Sequence, residues 1–235
     1  MTTLERPVRI DEETLLTAHL LRRAGFGGTP EELDRAMEKG YDATLEELLN
    51  PDKPDVLPDD LIRRYHVDQN SLYLWESTQA NWLYLMINSP RPLEEKMTLF
   101  LHQVFPVAWS KGQHATTLFT EIETFRKIGL SNFKTMLLQL SRDPAMIFWL
   151  DNNENHKNEI NENYGRELLE LFSMGVGNYT EDDIKNASRA FTGWTFSQPI
   201  PVYPQGHYPA RFEFHPEDHD FAPKTFLGQT GNFDG

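Results

Sequence analysis

Signals that start and stop helices recur along this chain from residue 11 to about residue 194. No segment in that span alternates apolar and polar residues with a period of two. Together these features commit most of the chain to helices, because strands buried on one face need that alternation. Asp11 is placed to cap a helix carrying Leu15, Leu16, His19, Leu20 and Arg23 and stopped at Gly25. Thr29-Pro30-Glu31-Glu32 supplies an N-cap, a proline at the first helical position and a glutamate that closes a capping box. Asp42 is expected to cap a short helix running to Leu49, ahead of a three-proline connector over 50–60. The helical pattern resumes from about Asn70 to Asn88, stops at Pro90 and Pro92, and restarts at Leu93 to run to about Phe105. Further helices are expected over 114–128, 131–142, 144–150, about 159–174 and 180–193, with Gly175-Val176-Gly177 as a stop.

After Trp194 the composition turns rich in proline and aromatic residues, with short candidate strands at 194–197 and 211–214. The expected fold is all-α: a multi-helix, bundle-like domain over 1–194 with an irregular or β-hairpin-containing extension over 195–235. The closing Gly231-Asn-Phe-Asp-Gly235 reads as a loop leading into a further helix, so the extension is expected to be a truncated part of one larger domain, and the chain a fragment.

Composition narrows the function. The 235 residues carry 22 basic and 36 acidic side chains, a net charge of −14, which repels a polyanion and disfavours nucleic-acid binding. The absence of cysteine excludes disulfides, thiolate metal sites and a cysteine nucleophile. No apolar run reaches the roughly 18 residues of a membrane span. The opening MTTLERPVRIDEETLL lacks the apolar core of a secretory signal, so the chain as written is expected in the cytoplasm.

Several segments then resemble one bacterial family of unknown function, DUF1800. They are His19-Leu-Leu-Arg-Arg-Ala-Gly-Phe-Gly27, Glu95-Lys-Met-Thr-Leu-Phe-Leu-His102, Ser141-Arg-Asp-Pro-Ala-Met146 and Asn161-Glu-Asn-Tyr-Gly-Arg-Glu-Leu-Leu-Glu-Leu-Phe172. Tyr179-Thr-Glu-Asp-Asp183, Arg189-Ala-Phe-Thr-Gly-Trp194, His219-Asp220 and Lys224-Thr-Phe-Leu-Gly228 complete the series, in the family's order. The resemblance implies a mostly helical fold and makes this chain similar to the amino-terminal half of longer relatives. It also implies export in many relatives and a sulfatase-like exported protein encoded nearby as a partner. It implies no activity. Relatives carry a Trp-His-Asn-His-like stretch where this chain has Leu101-His102-Gln103-Val104, and a glycine where Ala222 stands.

The residues themselves suggest where chemistry could sit. On the helix near 161–174, Asn163, Arg166, Glu167 and Glu170 share one face, suited to a divalent metal or to an acid–base pair. The competing reading is a solvated amphipathic face. His102 is a candidate general base or single metal ligand facing Glu167 and Glu170, with a structural histidine as the alternative. The asparagine-rich acidic stretch 151–162 lacks the spacing of a calcium loop and reads as turn chemistry. His207, His215, His219 and Asp220 offer a possible metal site, with His219 and Asp220 favoured as its ligands and Lys224 as a ligand-binding neighbour. Arg22 and Arg23, ahead of Gly25-Phe-Gly-Gly28, are suited to an anion, or else offset a helix dipole. Two functions follow. One is a ligand- or metal-binding cleft between helices with a hydrolase-like role. The other is a non-catalytic scaffold or partner-binding protein held by structural ion pairs.

Overall fold

The computed structural model describes residues 11–52, 74–197 and 210–235. Most of the 50–60 connector, the expected helix start near Asn70, and His207 lie outside the described residues. Eleven α-helices are found among those that are described: α1 (Glu12–Ala24), α2 (Pro30–Lys39), α3 (Tyr41–Leu49), α4 (Trp75–Asn88), α5 (Pro92–Val104), α6 (Trp109–Gly112), α7 (Ala115–Ile128), α8 (Phe133–Ser141), α9 (Pro144–Trp149), α10 (Asn163–Glu170) and α11 (Glu181–Ala190). The chain is mostly helical, as its start and stop signals require.

Local chemistry sets most boundaries. Asp11, Thr29, Asn132, Asp143 and Thr180 each accept a backbone N–H of the first helical turn, and Thr29–Glu32 and Thr180–Asp183 are complete capping boxes. Each such cap is worth about 1 kcal/mol. Helix α3 departs from expectation. It starts at Tyr41 behind Gly40, whose φ of +89° is left-handed, so glycine geometry rather than the Asp42 side chain sets its start. The helix expected over 159–174 is shorter. Asn161 Oδ1 takes the N–H of Asn163 to form its entry, and the Leu169 carbonyl accepts from Met174 and Gly175 to close its exit.

The region after α11 forms two antiparallel hairpins. Strand β1 (Trp194–Ser197) pairs with β2 (Arg211–Phe214), setting Trp194 opposite Phe214 and Ser197 opposite Arg211. Strand β3 (Lys224–Phe226) pairs with β4 (Gln229–Gly231) through Leu227 and Gly228, both at positive φ, the twist a two-residue hairpin needs. The Leu227 N–H donates to Asp183 Oδ1 at 2.6 Å, which ties this hairpin to the start of α11.

The main core gathers Leu101, Phe105, Phe125, Met136, Leu140, Met146, Tyr164, Phe172, Phe191 and Trp194 from α5 through β1. Trp194 meets Phe191 and Phe212 edge-on at 5.1 and 5.0 Å, so the first hairpin packs onto the helical core. Tyr164 is fully buried, and its hydroxyl donates to Ser141 Oγ at 2.7 Å. Where α10 crosses α11, a Cβ on Gly165 would lie 2.2 Å from Ser188 Oγ and 2.9 Å from its backbone nitrogen. The crossing tolerates hydrogen alone at that position. No helix among the described residues is long and apolar enough to cross a membrane.

Candidate functional site

Helices α5 and α7 pack antiparallel, and a polar seam runs between them. Glu95, Thr98 and His102 recur at three- and four-residue spacing on one face of α5, so they line a single stripe. At one end of the seam Arg126 Nε donates to Glu95 Oε1 at 2.8 Å, with both side chains buried. At the other end His102 Nδ1 lies 3.6 Å from Glu121 Oε2.

Glu121 is completely buried on α7, and neither carboxyl oxygen has a hydrogen-bond partner. Burial holds its pKa well above the usual carboxylate range, and the nearby Asp143 raises it further. Asp143, also buried, is pushed up to about 7 by desolvation, against the backbone N–H groups of Met146 and Ala145 that favour its charged form. Burial lowers the pKa of His102. The ring of Trp82, on α4, meets His102 edge-on at 5.3 Å, and its indole nitrogen is buried with no acceptor. His102 keeps 28% of its side chain exposed, while its Nδ1, on the Glu121 side, is buried. The imidazole thus joins a sequestered carboxyl to the surface.

The residues expected to share one cleft are distributed differently. Among the described residues, His102 makes no hydrogen bond or ion pair with Glu167 or Glu170; its partner helix is α7, because α5 packs along α7. Glu170 accepts from the Tyr179 hydroxyl at 3.2 Å. The pKa of Glu167 is raised by burial and by Glu170, against Arg166. Arg166 itself pairs with Glu181 at 2.8 Å and with Glu162 at 3.4 Å. The Asn163 amide donates to the Leu150 carbonyl at 3.1 Å and braces the loop below. Arg22 and Arg23 lie exposed in the last turn of α1, where their charge complements the helix dipole.

In the second hairpin region, Asp220 accepts from Arg189 Nε at 2.6 Å, a pairing that lowers its pKa. The buried Lys224 donates to the Asp220 and Ala222 carbonyls, and desolvation lowers its pKa against the pull of Asp220. His219 is buried beside Thr192, and the carboxylate paired with its Nε2, at 3.4 Å, is Asp234 rather than Asp220. No three His, Asp or Glu side chains are grouped to hold a metal ion among the described residues.

Glu121, Asp143, Trp82 and Arg126 are site residues that the one-dimensional pattern did not single out. A signal for Glu121 exists. It stands four residues from both Thr117 and Phe125, one place before Ile122, so a carboxylate interrupts an otherwise inward-facing stripe.

Comparison with curated proteins and with solved structures finds no match. The family described as "Protein of unknown function (DUF1800)" matches residues 19–235, nearly the whole chain and including every element of the α5–α7 seam. The chain belongs to the DUF1800 family.

Proposed function

We propose that this chain is a hydrolase-like protein in which His102 and Glu121 act together as a proton relay at the surface end of the α5–α7 seam. One observation carries the reading: a completely buried carboxyl with no hydrogen-bond partner on either oxygen, 3.6 Å from the inner nitrogen of a partly exposed imidazole. A carboxyl held protonated by burial donates to Nδ1 and leaves an N–H at Nε2 facing outward. When Nε2 gives up that proton to a leaving group, the Glu121 proton moves to Nδ1. The dyad is then a carboxylate and a neutral imidazole with a lone pair at Nε2, ready to take a proton from water. Such acid–base work is typically worth 10²–10⁴-fold in rate. The unpartnered Trp82 indole N–H beside the ring is suited to an oxygen on which negative charge develops.

A second reading, a non-catalytic scaffold, is favoured by the mutual pairing of Arg166 with Glu181 and of Arg189 with Asp220. In that reading the charged groups fix helix packing, and function lies in a partner such as the sulfatase-like protein implied by the family resemblance.

The test is a panel of p-nitrophenyl acetate, phosphate and sulfate with wild-type protein, His102→Ala and Glu121→Gln. Turnover of one class is expected, falling at least ~100-fold in His102→Ala, with Glu121→Gln slowed and its pH profile displaced. No turnover above buffer, or turnover indifferent to His102→Ala, overturns the relay and leaves the scaffold.

A further inference from the structure

His219 presents an arrangement that neither the seam nor the hairpin packing uses. Its Nδ1 lies 2.7 Å from the Thr192 carbonyl oxygen. A carbonyl only accepts, so Nδ1 carries the hydrogen, and in the neutral ring Nε2 holds the lone pair. That Nε2 is buried and has no hydrogen-bond partner. The side chain is 0% exposed, held edge-on by Phe221 at 4.6 Å and Phe214 at 5.3 Å. Facing Nε2 at 3.4 Å is Asp234 Oδ1, on a carboxylate 58% exposed to solvent. The Asp234 backbone is fixed in turn, because its carbonyl accepts the Trp194 indole N–H at 3.1 Å.

In the neutral ring two lone pairs therefore face each other across 3.4 Å, an arrangement relieved by a proton on Nε2 or by a cation shared between them. We propose that His219 Nε2 and Asp234 form a binding site for a divalent transition-metal ion of the zinc class, with water in the remaining positions. The spacing fits: a nitrogen and an oxygen each about 2.0–2.1 Å from a tetrahedral ion stand about 3.4 Å apart. The Thr192 carbonyl performs the usual orienting role behind a metal-bound histidine, fixing both tautomer and ring plane. An imidazole ligand selects zinc over calcium or magnesium, which take oxygen donors. No third protein ligand is grouped with this pair among the described residues, so the ion stays open to solvent on the Asp234 side.

The experiment is titration of the metal-stripped chain with Zn(II) and, separately, Ca(II) by calorimetry, with Co(II) as a visible-absorption probe. Asp234→Asn alters an exposed group, and circular dichroism verifies its fold; His215→Ala controls for the exposed imidazole that lies near Glu213 and Glu217. The expected result is one Zn(II) per chain, weakened at least about tenfold by Asp234→Asn and unchanged by His215→Ala, no comparable Ca(II) binding, and a tetrahedral Co(II) spectrum. Absence of Zn(II) binding, or binding indifferent to Asp234→Asn, overturns the proposal. So does a loss of stability in Asp234→Asn without any Zn(II) binding, which assigns the bridge to a proton.

Discussion

Two buried polar regions of this molecule solve the same problem in opposite ways. Under the first hairpin, Asn155 donates to the Ser188 carbonyl at 2.8 Å and to Asn152 Oδ1, and accepts the Asn161 N–H. Asn152 donates to the Phe191 and Trp194 carbonyls at 3.2 and 2.9 Å. Every amide hydrogen of this pair has a partner, and the acidic stretch 151–162 becomes a brace joining the loop to α11 and β1. In the α5–α7 seam, Glu121 is equally buried but its oxygens have no hydrogen-bond donor, and Asp143 adds a second carboxyl nearby. The brace spends its polarity on holding shape. At Glu121 the seam leaves its polarity unpartnered, at a cost to stability that a purely architectural interior would have no reason to carry.

The largest test of that contrast is Asp143→Asn. The folded pKa of Asp143, about 7, lies above its ordinary value of 3.8, so the folded state binds the proton more tightly. The group therefore costs nothing below about pH 4, and its penalty accumulates as pH rises toward 7, to on the order of 4 kcal/mol. Asparagine keeps an oxygen to cap α9 and removes the charge. Urea unfolding at pH 4 and pH 7.5 should show the variant gaining several kcal/mol over wild type at the higher pH only; an equal difference at both breaks the account of the seam. Next in size, Asn155→Ala strands the Asn161 N–H and Asn152 Oδ1 and should lose about 3 kcal/mol by the same measurement. A loss under about 1 kcal/mol would mean that the brace is not structural. Smallest, and opposite in sign, Glu121→Leu should gain about 1–2 kcal/mol, because replacing a buried ionisable group with an apolar one of similar size is often stabilising. A clear loss would show that Glu121 holds the helices together and move the seam into the class of the brace.

How much of this was legible in the sequence follows the range of the interaction. The capping box at Thr29, Pro30 at a first helical position, and the strands at 194–197 and 211–214 are written in neighbouring residues and stand where expected. Helix α6 and the second hairpin were missed: four residues are too few to show a period, and Leu227 is an unusual residue for a left-handed turn. The partner of His102 was illegible for another reason. Facing of side chains along one helix follows from spacing, but which helix lies opposite depends on packing, and α7 meets α5 where α10 had been expected. The pairing of Asp220 with Arg189, 31 residues away, is a tertiary fact of the same kind.

The α10–α11 crossing carries a consequence for how this chain can drift. With no room for a methyl at Gly165 and the Ser188 hydroxyl pressed against it, the two positions form a lock that neither can leave alone. In a saturation library, extra bulk at 188 has no compensating shrinkage available at 165, since glycine is already the smallest choice. Larger side chains should therefore be purged at both positions, even though neither residue belongs to the seam.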